Sequence, residues 1–300
     1  MPPPSTLPAL RVDVIHPGDI GHGEFNLQPG DPRYAWHLLA EGDSWFTLAA
    51  IPSSNLLYEL RLASWAQVLN LAYPGDTLGH IESLARNPDL LRHLAKRNFN
   101  TRFHALILSA GGNDLIDAAP KLIRHSAAAG SDPLRAESYV DVPALDQLMH
   151  DIRRDFASIV ALRDSADSLS QGRPIITHTY DYPTPRNAPA RFVGLVPFRG
   201  PWLFKAFANS GIAPVLQQDI VNLIFDRLAE TVLALDSDNA TSGQALAHFH
   251  VVDTRNTLVM ANATECGNSN DWLNEIHPNL DGFRKIAARL SARINSLLLS

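Results

Sequence analysis

The sequence has a single cysteine, Cys266, among 300 residues. An intrachain disulfide is therefore excluded, and a reducing compartment is compatible with the chain. An excess of basic residues is also missing, since the formal net charge is −6. This balance gives no electrostatic footprint for nucleic acid or for an anionic membrane.

Long apolar runs and a leader-like start are missing too. No stretch approaches the ~20 apolar residues of a membrane-spanning helix, and MPPPSTLPALRVDV has no basic segment before an apolar one. We expect a cytoplasmic protein; a secreted protein whose leader has been removed is the alternative. The sequence has neither an H-E-x-x-H pattern nor paired cysteine and histidine spacings, so it predicts no metal and no other cofactor.

What is present is the composition of a globular protein, with 45% hydrophobic and 19% charged residues. Residues 1–33 are rich in proline and glycine and show no period, which predicts an extended N-terminal arm. Residues 34–300 then form a single domain with insertions near 120–142 and 183–212. The second insertion is aromatic and long for a connection, which favours either an acyl-binding lid or a packing loop.

Apolar runs of strand length alternate with amphipathic segments. The predicted strands, short and mostly apolar as parallel strands are when both faces are covered, are 36–41, 67–73, 103–109, 174–180 and 248–253. The predicted helices, with apolar residues at helical spacing, are 55–66, 79–97, 143–169, 214–236 and 280–298. The alternation predicts an α/β fold, a three-layer α/β/α sandwich around a five-stranded parallel sheet. In such sheets ligands bind beyond the carboxyl ends of the strands.

Four short blocks follow these predicted strands or precede the last helix. Ser44 lies in Glu-Gly-Asp-Ser, Gly75 in Tyr-Pro-Gly-Asp, Asn113 in Gly-Gly-Asn-Asp, and His277 in Asn-Glu-Ile-His-Pro. Each block alone is ordinary turn or cap chemistry. Together and in this order, from residue 38 to about 290, they resemble the SGNH hydrolase superfamily, the GDSL-type lipases and esterases.

The resemblance implies a flavodoxin-like sheet and the cleavage of carboxylic esters through an acyl-serine intermediate. Ser44 would be the nucleophile and His277 the general base. The backbone N–H groups of Ser44 and Gly75 and the side-chain amide of Asn113 would form the oxyanion hole. The expected partner is a small-molecule or lipid-like ester. A non-catalytic binding protein and an acyltransferase are the alternatives.

The sequence departs from the family at one position. The usual aspartate three residues before the histidine is Asn274 here. An amide oxygen can orient His277 but supplies no charge to favour imidazolium. Asp271, Glu275 and Asp253 are the carboxylates that could take the role instead; we favour Asn274 or a backbone carbonyl.

His178 and Asp181, at the end of the fourth predicted strand, have two interpretations. They could shape the substrate pocket. Equally, they could be an ordinary strand-end histidine and turn aspartate.

Overall fold

The structure is a computed structural model that describes residues 9–21, 27–47, 55–82, 88–96, 101–192, 196–239 and 241–300. Its strands are β1 (Leu10–Arg11), β2 (Asp13–Ile15), β3 (Trp36–Gly42), β4 (Arg61–Leu62), β5 (Ala66–Asn70), β6 (Ala105–Ser109), β7 (Ile175–His178), β8 (Ala190–Phe192), β9 (Val196–Arg199) and β10 (Phe249–Val252). Its α-helices are α1 (Ser44–Thr47), α2 (Leu78–Ile81), α3 (Pro88–Ala95), α4 (Gly112–Leu122), α5 (Val142–Arg163), α6 (Leu203–Ala206), α7 (Pro214–Leu233) and α8 (Leu280–Leu298). Short 3-10 turns cover Pro17–Asp19 and Ala136–Tyr139.

The main sheet is parallel and has the order β10-β7-β6-β3-β5-β2. Counted along the chain from β3, five of its strands have the flavodoxin-like order 2-1-3-4-5. The predicted sandwich with a parallel sheet is confirmed. The sheet has six strands rather than the predicted five, because β2 pairs with the outer side of β5, where Val14 lies opposite Val68.

The burial of apolar side chains explains why these segments form strands and helices. Every residue of β5 and β6 is buried, as in a sheet covered on both faces. Helix α5 packs against α2, α3, α4 and α7, whereas α8 packs against β10 and β4. Helix α8 begins after Asn279, whose side chain accepts the backbone N–H of Gly282, and it buries an apolar stripe that includes Phe283 and Leu290. No helix in the described part of the chain is long and apolar enough to cross a bilayer.

The predicted helix over 55–66 is wrong. Residues 56–59 form a turn, Arg61 and Leu62 form β4, and Ala66 begins β5. Leu56 and Leu60 are fully buried there. Their spacing, which predicts one face of a helix, instead comes from a turn whose apolar side chains face the core. The segment predicted as one helix over 79–97 contains α2 and α3, while residues 83–87 and 97 lie outside the described residues.

The division into an arm and one domain stays a prediction, but the structure adds detail to it. Within the predicted arm, β1 pairs with β4 and β2 joins the main sheet. The insertion near 183–212 contains the antiparallel pair β8 and β9, followed by α6; residues 193–195 lie outside the described residues.

Candidate active site

Ser44 lies at the point where the strand order of the sheet reverses. It begins α1 two residues after Gly42, the last residue of β3, and β3 is flanked by β5 on one side and β6 on the other. A crevice forms at such a switch point, beyond the carboxyl ends of the strands. Gly42 makes the tight exit from β3: its φ is +153°, and a Cβ there would lie 2.3 Å from the carbonyl oxygen of Ser109.

A buried carboxylate supports the turn that carries Ser44. Asp43 Oδ1 accepts the backbone N–H of Trp45 at 2.9 Å and the hydroxyl of Ser109 at 2.8 Å, while its Oδ2 accepts the hydroxyl of Tyr180. Burial raises the pKa of Asp43 to about 6, although the three hydrogen bonds act in the opposite direction. The carboxylate thus holds three separate segments under the serine.

Ser44, His277 and Asn274 form a hydrogen-bonded chain. Ser44 Oγ lies 2.7 Å from His277 Nε2, and His277 Nδ1 lies 2.9 Å from Asn274 Oδ1. All three residues are buried. The serine and the histidine, 233 positions apart in sequence, therefore meet as the sequence predicts.

The backbone determines the tautomer of this histidine. Asn274 Oδ1 also accepts the backbone N–H groups of Ile276 at 3.1 Å and His277 at 3.0 Å. Backbone N–H groups only donate, so the atom that faces them must be the amide oxygen. His277 Nδ1 must then carry the proton. The lone pair of Nε2 is left to accept the hydrogen of the Ser44 hydroxyl.

The three carboxylates considered for the role of Asn274 bind elsewhere. Asp271 accepts the ammonium of Lys285 and a backbone N–H. Asp253 pairs with Arg255 and accepts the hydroxyl of Thr179. Each is satisfied by partners other than the imidazole.

Glu275 is the third of these carboxylates, and it holds the second insertion. Its two oxygens accept the backbone N–H groups of Trp202, Leu203 at 3.1 Å, Phe204 at 2.6 Å and Arg186 at 3.3 Å. Burial raises the pKa of Glu275 to about 7 against these bonds. The residue next to Asn274 therefore fixes the start of α6.

His277 is neutral in this setting. Burial lowers the pKa of its imidazole to about 4. The indole of Trp202 packs edge-on against the imidazole, with ring centroids 5.6 Å apart. The histidine therefore lies between an amide oxygen and an aromatic ring.

The segments that carry the proposed oxyanion donors are tied to each other. The N–H of Tyr73 donates to the carbonyl of Gly42 at 3.0 Å, and the amide of Asn113 donates to the carbonyl of Asp76 at 2.9 Å. Gly75 lies between these two ties, with φ +89°, a value that favours glycine. Asn113 keeps a second amide hydrogen, and no hydrogen bond among the described residues uses the backbone N–H of Ser44.

A narrow cavity, with room for about one water molecule, opens beside Ser44 and Asn113. Apolar side chains line much of it, among them Ile116, Phe225 and Ile276. Gly75 is not among its lining residues. Ser44 therefore has apolar side chains on one side.

Of the two residues with open interpretations, Asp181 lines this cavity. Its carboxylate accepts backbone N–H groups of residues 182 and 256–258, at 2.6 to 3.0 Å. His178 instead stacks on Trp45, with ring centroids 5.4 Å apart, and burial lowers its pKa to about 4. Both residues hold the frame of the site.

Sequence reasoning missed the contacts that Trp202 and Glu275 make. In the sequence, Trp202 is one aromatic residue of a long insertion, and Glu275 is a candidate partner for His277. The available signal was weak: a Gly-Pro-Trp segment in an insertion and an acidic residue next to Asn274.

One group away from Ser44 has the composition of a metal site. Asp236, Asp238 and His250 bring ligand atoms within 4.8 Å of one another. The guanidinium of Arg293 already contacts Asp238 and lies 2.8 Å from His250 Nδ1. An ion pair therefore accounts for this group.

No protein-family model matches the sequence, and no curated protein matches it either. Solved structures do resemble the fold. Among them are a possible lipase from Chitinophaga pinensis (14% identity, 88% of this chain and 99% of that one, TM-score 0.48) and phospholipase A1 from Streptomyces albidoflavus (14%, 87% and 97%, 0.41). A third is the native aryl esterase of M. smegmatis (13%, 87% and 98%, 0.42). At these identities, activity has to be inferred from the residues of the site itself.

Proposed function

We propose that the chain is a serine hydrolase that cleaves carboxylic esters through Ser44 and His277. The observation that carries the proposal is the 2.7 Å contact between Ser44 Oγ and the unprotonated Nε2 of His277. A serine hydroxyl is a weak nucleophile until a base accepts its proton. Nothing in the packing of a strand-end turn requires such a pair to be buried together.

In the proposed reaction, Ser44 Oγ attacks the ester carbonyl carbon while its proton moves to His277 Nε2. The tetrahedral intermediate carries a negative oxygen, for which the N–H groups of Ser44 and Gly75 and the amide of Asn113 are the proposed donors. Collapse breaks the bond to the alcohol, which leaves with the proton from His277. Water, deprotonated by the same imidazole, then hydrolyses the acyl-serine.

Asn274 takes the orienting role in this proposal. Its oxygen holds the tautomer in which Nε2 can act as a base, as an aspartate would. An amide lacks the charge that would stabilise imidazolium, so the base is weaker than in a charged triad. This agrees with the lowered pKa of His277.

The side chains beside Ser44 favour a small apolar acyl group. Ile116, Phe225 and Ile276 line the cavity there, which has room for about one water molecule, so a longer chain would lie outside it. Since the second insertion also contacts His277 through Trp202, it would contribute to the wall beside the alcohol or acyl part of the ester.

Labelling with a fluorophosphonate probe tests the proposal, because the probe reacts with an activated serine. We expect an adduct on the wild-type chain and on Ser158→Ala, whose hydroxyl only bonds its own helix at Arg154. Ser44→Ala should carry no adduct, and His277→Ala should react at least ~10³-fold more slowly. An absence of any Ser44-dependent adduct at neutral pH would favour a non-catalytic binding protein.

A further inference from the structure

The segment from Arg199 to Phe204 contacts both the loop of Gly75 and the imidazole of His277. At its end, the buried carboxylate of Glu275 accepts the backbone N–H groups of residues 202–204. These bonds fix the backbone at residues 202–204. The segment is therefore a wall with a defined position.

One side chain of this wall reaches the base. Trp202 packs its ring edge-on against the imidazole of His277. The backbone N–H of Trp202 is one of the groups that Glu275 holds. Trp202 thus marks the place where the wall borders the catalytic histidine of the proposed reaction.

Another side chain of the wall reaches the proposed oxyanion loop. A Cβ built on Gly75 would lie 3.3 Å from Arg199 Nη1, so the guanidinium lies against the backbone of this glycine. The loop that carries Gly75 is tied to Gly42 on one side and to Asn113 on the other. Arg199 is therefore next to the region where the proposed oxyanion forms.

The charge of Arg199 is uncompensated within the described residues. No carboxylate there lies within ion-pair distance of it, and the side chain is exposed. The nearest acidic residue in the loop, Asp76, contacts His80 at 3.3 Å instead. By contrast, Arg255 and Arg293 each contact a carboxylate. A guanidinium offers a planar pair of donors that fits a carboxylate or a phosphate.

We propose that Arg199 binds a negatively charged group of the ester substrate, so that the protein prefers anionic esters over neutral ones. The inference rests on the proposed function, because it places the anion beside the reacting carbonyl. The reacting carbonyl would lie at Ser44, while the charged group remains at the exposed guanidinium.

A pair of acetyl esters separates charge from shape. We would measure kcat/KM for 4-acetoxybenzoate, which is anionic at neutral pH, and for its neutral methyl ester. The variants are Arg199→Gln, Arg199→Lys and the control Arg102→Gln. Arg102 precedes β6 and so lies at the amino end of the sheet, the edge opposite Ser44.

We expect Arg199→Gln to lower kcat/KM for the anionic ester by about tenfold or more, since hydrogen bonds between two charged groups are stronger than those between neutral groups. The neutral ester should change by less than about threefold, and Arg199→Lys should recover part of the loss because it keeps the charge. Arg102→Gln should leave both values unchanged. The preference for the anionic ester should also fall as salt screens it.

Equal effects of Arg199→Gln on both esters, or no effect on either, would overturn the inference. If those results came with Ser44-dependent labelling by the fluorophosphonate probe, the proposed hydrolase would stand and the role of Arg199 alone would fail. If neither Ser44-dependent labelling nor hydrolysis occurred, the proposed function would fail and the inference with it.

Discussion

The two ends of the Ser44–His277 pair are built in opposite ways. Under Ser44, the carboxylate of Asp43 is buried and accepts three hydrogen bonds. Behind His277, the corresponding acceptor is the uncharged amide of Asn274. The neighbouring carboxylates Asp271 and Glu275 bind backbone groups or a lysine rather than the imidazole. The carboxylates therefore bind backbone groups, hydroxyls or a lysine, whereas the imidazole of His277 is paired with an uncharged amide.

The neutral end can be tested by removing or charging its acceptor. Asn274→Ala should lower kcat by about 10- to 100-fold, since a hydrogen bond to a group that becomes charged contributes ~1.5–3 kcal/mol. Asn274→Asp keeps the oxygen acceptor and adds charge, so kcat should rise above that of the wild type. Steady-state kinetics with a nitrophenyl ester measures both effects.

Asp271→Ala is the matched control for this pair of variants, because Asp271 lies in the same loop but binds Lys285. A near-unchanged turnover in Asn274→Ala together with a collapse in Asp271→Ala would show that the wrong acceptor has been assigned.

The pH dependence of kcat/KM sharpens the same comparison. Burial lowers the pKa of His277 to about 4, so the imidazole is neutral and able to accept a proton at any pH above this value. The loss of base function at His277 should therefore appear as the pH falls through about 4, with a tenfold loss per unit below it. In Asn274→Asp the acid limb should move upward by at least ~1 unit, because a nearby carboxylate favours imidazolium. A wild-type limb at the ordinary histidine pKa of ~6.5 would contradict this account.

The charged end should tolerate a neutral acceptor but not the loss of the acceptor. In Asp43→Asn, Tyr180 can accept from the new amide and donate to Ser109, whose oxygen is 3.3 Å away. We expect this variant to lose about 1 kcal/mol of unfolding free energy, whereas Asp43→Ala leaves buried donors unpaired and should lose ~3 kcal/mol or more. Denaturant unfolding of the two variants measures the difference, and equal losses would contradict the proposed rearrangement.

The sequence predicts the elements whose signals are local. Helix α8 matches its predicted bounds of 280–298 because the Asn279 cap and the apolar stripe lie within one segment. Strand β3 ends next to the predicted boundary because the Gly-Asp-Ser turn follows an apolar run. Strand β2 escaped prediction since three residues are too few to show a period.

The candidate site likewise contains residues that local sequence signals predict and contacts that they do not predict. Ser44, Gly75, Asn113 and His277 lie in short blocks that can be read from sequence. The contact of Trp202 with His277 and the bonds from its segment to Glu275 join residues more than 70 positions apart. Such contacts depend on how the second insertion packs, and no local pattern encodes that packing.

Strand β2 has a consequence for the behaviour of the chain in concentrated solution. Without Asp13–Ile15, the row of backbone groups on the outer side of β5 would face solvent, where a strand from a second molecule could pair with it. The three-residue strand covers this row and is itself too short to recruit another strand efficiently. The segment before the Glu-Gly-Asp-Ser block thus covers this one edge of the sheet.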